Sequence, residues 1–168
     1  MIIILYIVLM TFIIYYGSLI IYFIGNIKNI PRLISNQNMN VSVIIAIKNG
    51  AISLPNLLSD LQHQEYKGTM EFILVDDESE DETAKIIKEM NENDKRFIYC
   101  PSSLGKKYLS FKKKALDAGI IASTHNLLLF TDVDCRLKSK WVSSMAQCFN
   151  QNIDYAFGFT GITKPSNL

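Results

Sequence analysis

Surplus charge is what this sequence lacks first: 17 Lys and Arg stand against 16 Asp and Glu, a net charge of +1. Without a basic excess there is little to neutralise a phosphate backbone, which argues against a nucleic-acid partner. Cysteine is scarce too. Cys100, Cys135 and Cys148 form no Cys-x-x-Cys pair, so neither a zinc knuckle nor a disulfide framework is supported, and reduced thiols in a cytosolic compartment fit best. The two histidines, His63 and His125, have no partners at metal-ligand spacing and read as ordinary surface or core residues. The 168 residues are too few for two full domains, but enough for one modest core.

Charge is missing altogether from residues 2–24, which are almost wholly apolar. About 20 such residues span a bilayer as a helix. A cleaved signal would show a shorter apolar run, a basic start and a small-residue cleavage site, and a buried core helix would show a polar stripe. Residues 1–25 therefore read as one transmembrane helix. Tyr15, Tyr16 and Tyr22 suit interfaces or a partner helix, and Gly17 and Ser18 allow close helix packing. Lys28 and Arg32 follow the span and no charged side chain precedes it, so the rest of the chain is expected in the cytoplasm.

Residues 26–40 are rich in Asn and contain Pro31; they read as a juxtamembrane linker. The soluble part, 41–168, opens with Val41-Ser42-Val43-Ile44-Ile45-Ala46-Ile47, a β-branched run typical of a strand buried on both faces. Leu54, Leu57, Leu58 and Leu61 follow at helical spacing. Met70 to Val75 is a second strand, ending in Asp76-Asp77-Glu78. Ser79 and Glu82 form a capping-box pattern before a helix faced by Ala84, Ile86, Ile87 and Met90. A third strand is expected at Arg96–Cys100, a helix through Ala115–Ala122, and a fourth strand at Asn126–Thr131. A further helix is expected around Trp141, Met145 and Phe149, and a strand at Tyr155-Ala156-Phe157. Strands alternating with helices imply a parallel α/β sheet.

Asp132-Val133-Asp134 closes the fourth strand. In an extended tip, residues i and i+2 point the same way, so both carboxylates can address one ligand. Hard oxygen donors suit Mg²⁺ or Mn²⁺, which take further oxygens from water and phosphate. Asp76 or Asp77 could accept hydrogen bonds from a nucleobase or a ribose. In open α/β sheets, ligands bind at the carboxyl ends of the strands, so two acidic tips suggest one site.

Taken in order, Val41 to Asn49, Leu54-Pro55-Asn56-Leu57-Leu58, Val75 to Thr83 and Phe130-Thr131-Asp132-Val133-Asp134-Cys135 resemble a family 2 glycosyltransferase. The membrane-anchored members are the most similar in layout. The resemblance implies a Rossmann-like nucleotide-diphospho-sugar transferase fold of the GT-A type, holding Mn²⁺ or Mg²⁺. It implies a nucleotide-sugar site formed by Ala46, Lys48, Asp77, Asp132, Val133 and Asp134. Asp77 would meet the base with Lys48 beside it, Asp132 would lie near the ribose, and Asp134 would hold the metal with Asp132. The implied partners are a nucleotide-diphospho-sugar donor, a lipid or polysaccharide acceptor, and the membrane.

Three departures stand out. Asn49-Gly50-Ala51 offers no acid after the first strand. The usual Gly-Lys motif is split between Gly105-Lys106-Lys107 and Lys112-Lys113-Lys114-Ala115-Leu116, and a solvated or lipid-facing basic surface is an equal reading of these lysines. Phe157 to Pro165 lies where the acceptor half should begin, so the general base is not encoded and 41–168 is expected to be the donor-binding part alone. A non-catalytic membrane-tethered remnant is the alternative. A sugar nucleotidylyltransferase would need a glycine-rich loop after the first strand, where Ala46-Ile47-Lys48-Asn49-Gly50 stands. A haloacid-dehalogenase phosphatase would carry its Asp-x-Asp at the first strand, with Thr following, where Cys135 stands here.

Overall fold

A computed structural model describes residues 2–28, 39–149, 153–158 and 160–161. The chain divides into two units, residues 1–33 and 34–168. The first contains helix α1, Ile2–Lys28, in which Ile2–Gly25 is long and apolar enough to cross a membrane. The helix thus runs past the boundary expected at residue 25. Residues 29–38 of the expected linker lie outside the described residues. Met39 and Asn40 already belong to the second unit: the Tyr66 hydroxyl donates to the Met39 carbonyl, and the Thr69 N–H to the Asn40 side chain.

That unit is built on four parallel strands: β1 Val41–Ile47, β2 Met70–Asp76, β3 Phe97–Pro101 and β4 Leu127–Phe130, in the order β3-β2-β1-β4. The helices are α2 Leu54–Gln62, α3 Thr83–Asn93, α4 Lys112–Ala122 and α5 Trp141–Ala146. Alternation along each strand sorts side chains to two faces. On one face Val41, Val43, Ile45 and Ile47 meet Leu54, Leu57, Leu58 and Leu61 of α2, Ile87 of α3, and Val142 and Ala146 of α5. On the other, Ile44, Ile73 and Val75 meet Ala115 and Ala118 of α4. Small residues let α4 come close. A Cβ on Gly119 would collide with Ile44 Cγ2.

Two polar clusters fix the strand that carries the Asp-x-Asp. At its start, buried Glu71 accepts from the Ser42 hydroxyl (2.5 Å) and the Thr124 N–H (2.7 Å), and Ser42 Oγ accepts from the His125 N–H. Burial pushes the Glu71 carboxyl up, but the bonds from Ser42 and Thr124 outweigh it and hold the group below its ordinary range. Beyond its end, the last turn of α2 clasps residues 136–142. Asp60 receives Arg136 through Nε (2.7 Å) and Nη2 (2.9 Å), and also the Leu137 N–H (2.9 Å). Gln64 donates to the Lys138 carbonyl and accepts from the Val142 N–H, while the Glu65 N–H donates to the Ser139 carbonyl.

Two expectations fail. The capping box does not form: α3 begins at Thr83 without a side-chain cap from Ser79. Ser79 Oγ accepts from the Asn49 N–H instead, and Asp81 Oδ1 accepts from the Thr83 N–H. No strand forms at Tyr155–Phe157. Those two rings pack edge to face on each other, yet Tyr155 and Phe157 stay exposed. Alternating aromatics without a neighbouring strand have no ladder to join.

Gly119→Ala should lower stability by about 1–3 kcal/mol, although alanine favours a helix interior over glycine; thermal unfolding followed by Trp141 fluorescence measures it. Asp60 is held below its ordinary pKa chiefly by Arg136, against burial and with help from the Leu137 N–H. A lowered carboxylate pKa stabilises fully above the unfolded value, about 3.9, and the effect fades as pH falls through the folded value. Asp60→Asn should therefore lower Tm by a few degrees at pH 7, and the gap from the parent should narrow as pH falls below the unfolded value, about 3.9. An unchanged gap across that range would count against the clasp.

Candidate functional site

The carboxyl ends of β2, β1 and β4 lie side by side, since β1 pairs with both neighbours. The Asp77 N–H extends the ladder by donating to the Ile47 carbonyl (2.8 Å). The two neighbouring aspartates at this tip then divide. Asp76 is buried and its Oδ1 accepts the Ser79 N–H (3.2 Å). Burial, the Asp76 charge and a hydrogen bond to Asp76 together push the Tyr99 hydroxyl above its ordinary range. Asp77 is only half-buried, and among the described residues its carboxylate has no hydrogen-bond partner. Of the two, Asp77 is the one free to meet a ligand.

The acidic run after Asp77 serves the scaffold. Asn49 Oδ1 accepts the Glu80 N–H (2.8 Å), Thr83 Oγ1 accepts the Gly50 N–H (2.9 Å), and Asp81 Oδ2 accepts the Ala51 N–H (3.0 Å). These bonds lace the exit loop of β1 to that of β2. Asn49 (φ 51°) and Glu78 (φ 55°) adopt left-handed backbone there, a conformation non-glycine residues hold only where surroundings enforce it.

At the end of β4 the Cys135 N–H donates to the Asp132 carbonyl (3.2 Å), so the Asp-x-Asp tip is a turn and not an extended strand. The carboxylates still share the solvent side. Asp132 and Asp134 are exposed, while Val133 is half-buried against the core. Val133 packs against Gly50, where an added Cβ would stand 2.7 Å from Ile47 Cγ2 and 3.1 Å from Val133 Cγ2. This contact ties the β4 turn to the β1 exit.

The sequence reading did not single out one lysine. Lys112, at the start of α4, places Nζ 2.5 Å from Asp132 Oδ1. Lys106 reaches Asp117 instead, at 3.7 Å. The pair Lys112–Asp132 spans 20 residues, so no local pattern announces it. Ala46 is half-buried on the α4 face and Lys48 is exposed just beyond Ile47.

Among the described residues, no three His, Cys, Asp or Glu side chains gather to hold a metal. Asp132 and Asp134 offer hard oxygens at an exposed turn. Two carboxylates suit a cation that completes its shell with water and phosphate oxygens, so the donor set fits Mg²⁺ or Mn²⁺.

Comparison with known proteins bears on the family and the fold. The family model "Glycosyl transferase family 2" matches residues 42–167. A Campylobacter jejuni protein, GalNAc(5)-diNAcBac-PP-undecaprenol beta-1,3-glucosyltransferase, is 27% identical over 128 residues, 76% of this chain and 40% of that protein. A probable glycosyltransferase of Sulfolobus acidocaldarius is 35% identical over 131 residues, 76% of this chain and 27% of its own length. The chain thus spans well under half of either relative. A mannosyltransferase from Pyrobaculum calidifontis, solved with GDP-Man and Mn²⁺, superimposes with a TM-score of 0.62 at 18% identity, covering 80% of this chain and 41% of that one. With its Rossmann-like GT-A sheet and a family model that takes in all of that sheet but Val41, the chain belongs to glycosyl transferase family 2.

Proposed function

We propose that the globular unit binds a nucleotide-diphospho-sugar as the donor-binding part of a glycosyltransferase. The observation that carries this reading is the placement of the Asp77 tip and the Asp132–Asp134 turn on the two strands that flank β1, at the same end of the sheet, with Val133 tying the β4 turn to Gly50 at the β1 exit. Asp77 accepts hydrogen bonds from the base, with Lys48 and Ala46 beside it, and Val133 holds the turn under the donor. Asp132 lies toward the ribose and, with Asp134, holds Mn²⁺ or Mg²⁺. When bound, that ion offsets the charge growing on a departing nucleoside diphosphate. Lys112 is the cation of this chain best placed to move from Asp132 to the diphosphate.

The group that deprotonates the acceptor is not assigned among the described residues. The C. jejuni relative is named for a PP-undecaprenol acceptor, which supports a lipid-linked acceptor here. Helix α1 then holds the chain in the membrane, with the globular unit on the cytoplasmic side, as Lys28 and Arg32 favour.

Calorimetric titration of the full chain with UDP and GDP, with and without Mn²⁺, tests the donor site. Binding should need the metal, and Asp134→Ala should remove that dependence. Asp77→Ala should weaken binding by about 1.5–3 kcal/mol, as expected of a bond to a charged group. Metal-independent binding, or none by folded protein, would refute the site. Lys112→Ala should weaken diphosphate binding more than nucleoside binding; equal loss for both ligands would remove Lys112 from the diphosphate's partners.

A further inference from the structure

Residues 101–116 carry five lysines and no acid. Within this stretch Leu104, Tyr108 and Phe111 are 56%, 78% and 84% exposed. Large apolar side chains so open to water call for a partner when they cluster. The segment is also held in place. The Gly105 N–H donates to the Ser102 carbonyl (3.1 Å), the Lys106 N–H to Asp117 Oδ2 (2.9 Å), and the Leu109 N–H to the Lys106 carbonyl (3.0 Å). Gly105 lies so close under the Lys114 carbonyl that a Cβ would collide with it. Phe111 projects outward from a left-handed backbone, φ 54°. Lys106 and Lys112 have acidic partners, while Lys107 and Lys113 have none among the described residues.

Exposed aromatic and aliphatic side chains set among unpaired lysines are the chemistry of an interfacial anchor: rings settle at headgroup depth and ammonium groups meet lipid phosphates. The chain itself brings a bilayer within reach. Residues 29–40 join α1 to β1, and a dozen residues extend at most about 40 Å. We propose that Leu104, Tyr108 and Phe111, with Lys107 and Lys113, dock the globular unit onto an anionic bilayer surface. This inference rests on α1 spanning the membrane, and not on nucleotide binding.

Hydrogen exchange of the full chain in lipid nanodiscs tests it. Co-elution with neutral phosphatidylcholine discs reads the span by itself. Amides of residues 104–113 should exchange at least about fivefold more slowly in discs with about 30% phosphatidylglycerol than in neutral discs, the gain expected from even one lysine near an anionic surface. About 0.5 M NaCl should reverse the slowing. The pair Lys107→Gln and Lys113→Gln, and separately Tyr108→Ser and Phe111→Ser, should each remove it while β1 amides stay protected. Equal exchange in both kinds of disc would overturn the proposal. So would slowing produced in neutral discs by inorganic phosphate or UDP but not by anionic lipid.

Discussion

Strand β1 has no solvent face, and the rest of the second unit depends on that constraint. All seven of its residues pair with β2 on one side and the first four, Val41–Ile44, with β4 on the other, while side chains go alternately to α2, α3 and α5 or to α4. A strand buried on both faces is apolar along most of its length, and the polar exceptions, Ser42 and Glu71, satisfy each other. Polar groups left free for a ligand can then appear only where the strands end. That is why Lys48, Asp77, Asp132 and Asp134 all stand beyond apolar runs.

The exits are not loose ends. Backbone donors of residues 49–51 are taken up by Ser79, Thr83 and Asp81, and the turn after β4 is wedged by Val133 and clasped downstream by Asp60 and Gln64. Nearly every polar group near the tips is occupied by scaffold bonds. The carboxylates of Asp77 and Asp134 are among the exceptions within the described residues, as are the side chains of Lys48, Glu78 and Glu80, and Asp132 is engaged only by a lysine ammonium. Rigid backbone carrying uncommitted carboxylates is an arrangement suited to a ligand that arrives with its own cation.

Much of this was legible in the chain. The β-branched run from Val41 and the apolar runs ending in acids announced a parallel sheet with carboxylates at the carboxyl ends of its strands. Helical spacing of Leu54, Leu57, Leu58 and Leu61 matched α2, all four being buried. What failed was local chemistry overruled by distant partners. Ser79 had the pattern of a helix cap, but Asn49, 30 residues away, takes its hydroxyl. The Asp132–Asp134 tip read as extended, but a hydrogen bond across it makes a turn. The clasp of Asp60 on Arg136 and the pair Lys112–Asp132 join residues 76 and 20 apart, and no short window could show them. Residue patterning alone left Asp76 and Asp77 open; the family resemblance named Asp77, and the fold adds that Asp76 is the buried one of the two.

The strand order also sets a sequence of events. Val41 pairs with Met70 and with Leu127, so the second pairing closes a loop about three times as long, at roughly 1 kcal/mol more entropy by the logarithmic law. The parallel β1–α2–β2 unit therefore closes at lower entropic cost than the β1–β4 pairing. The turn bearing Asp132 and Asp134 arrives with β4. The half-formed sheet therefore lacks the Asp132 and Asp134 carboxylates at its edge.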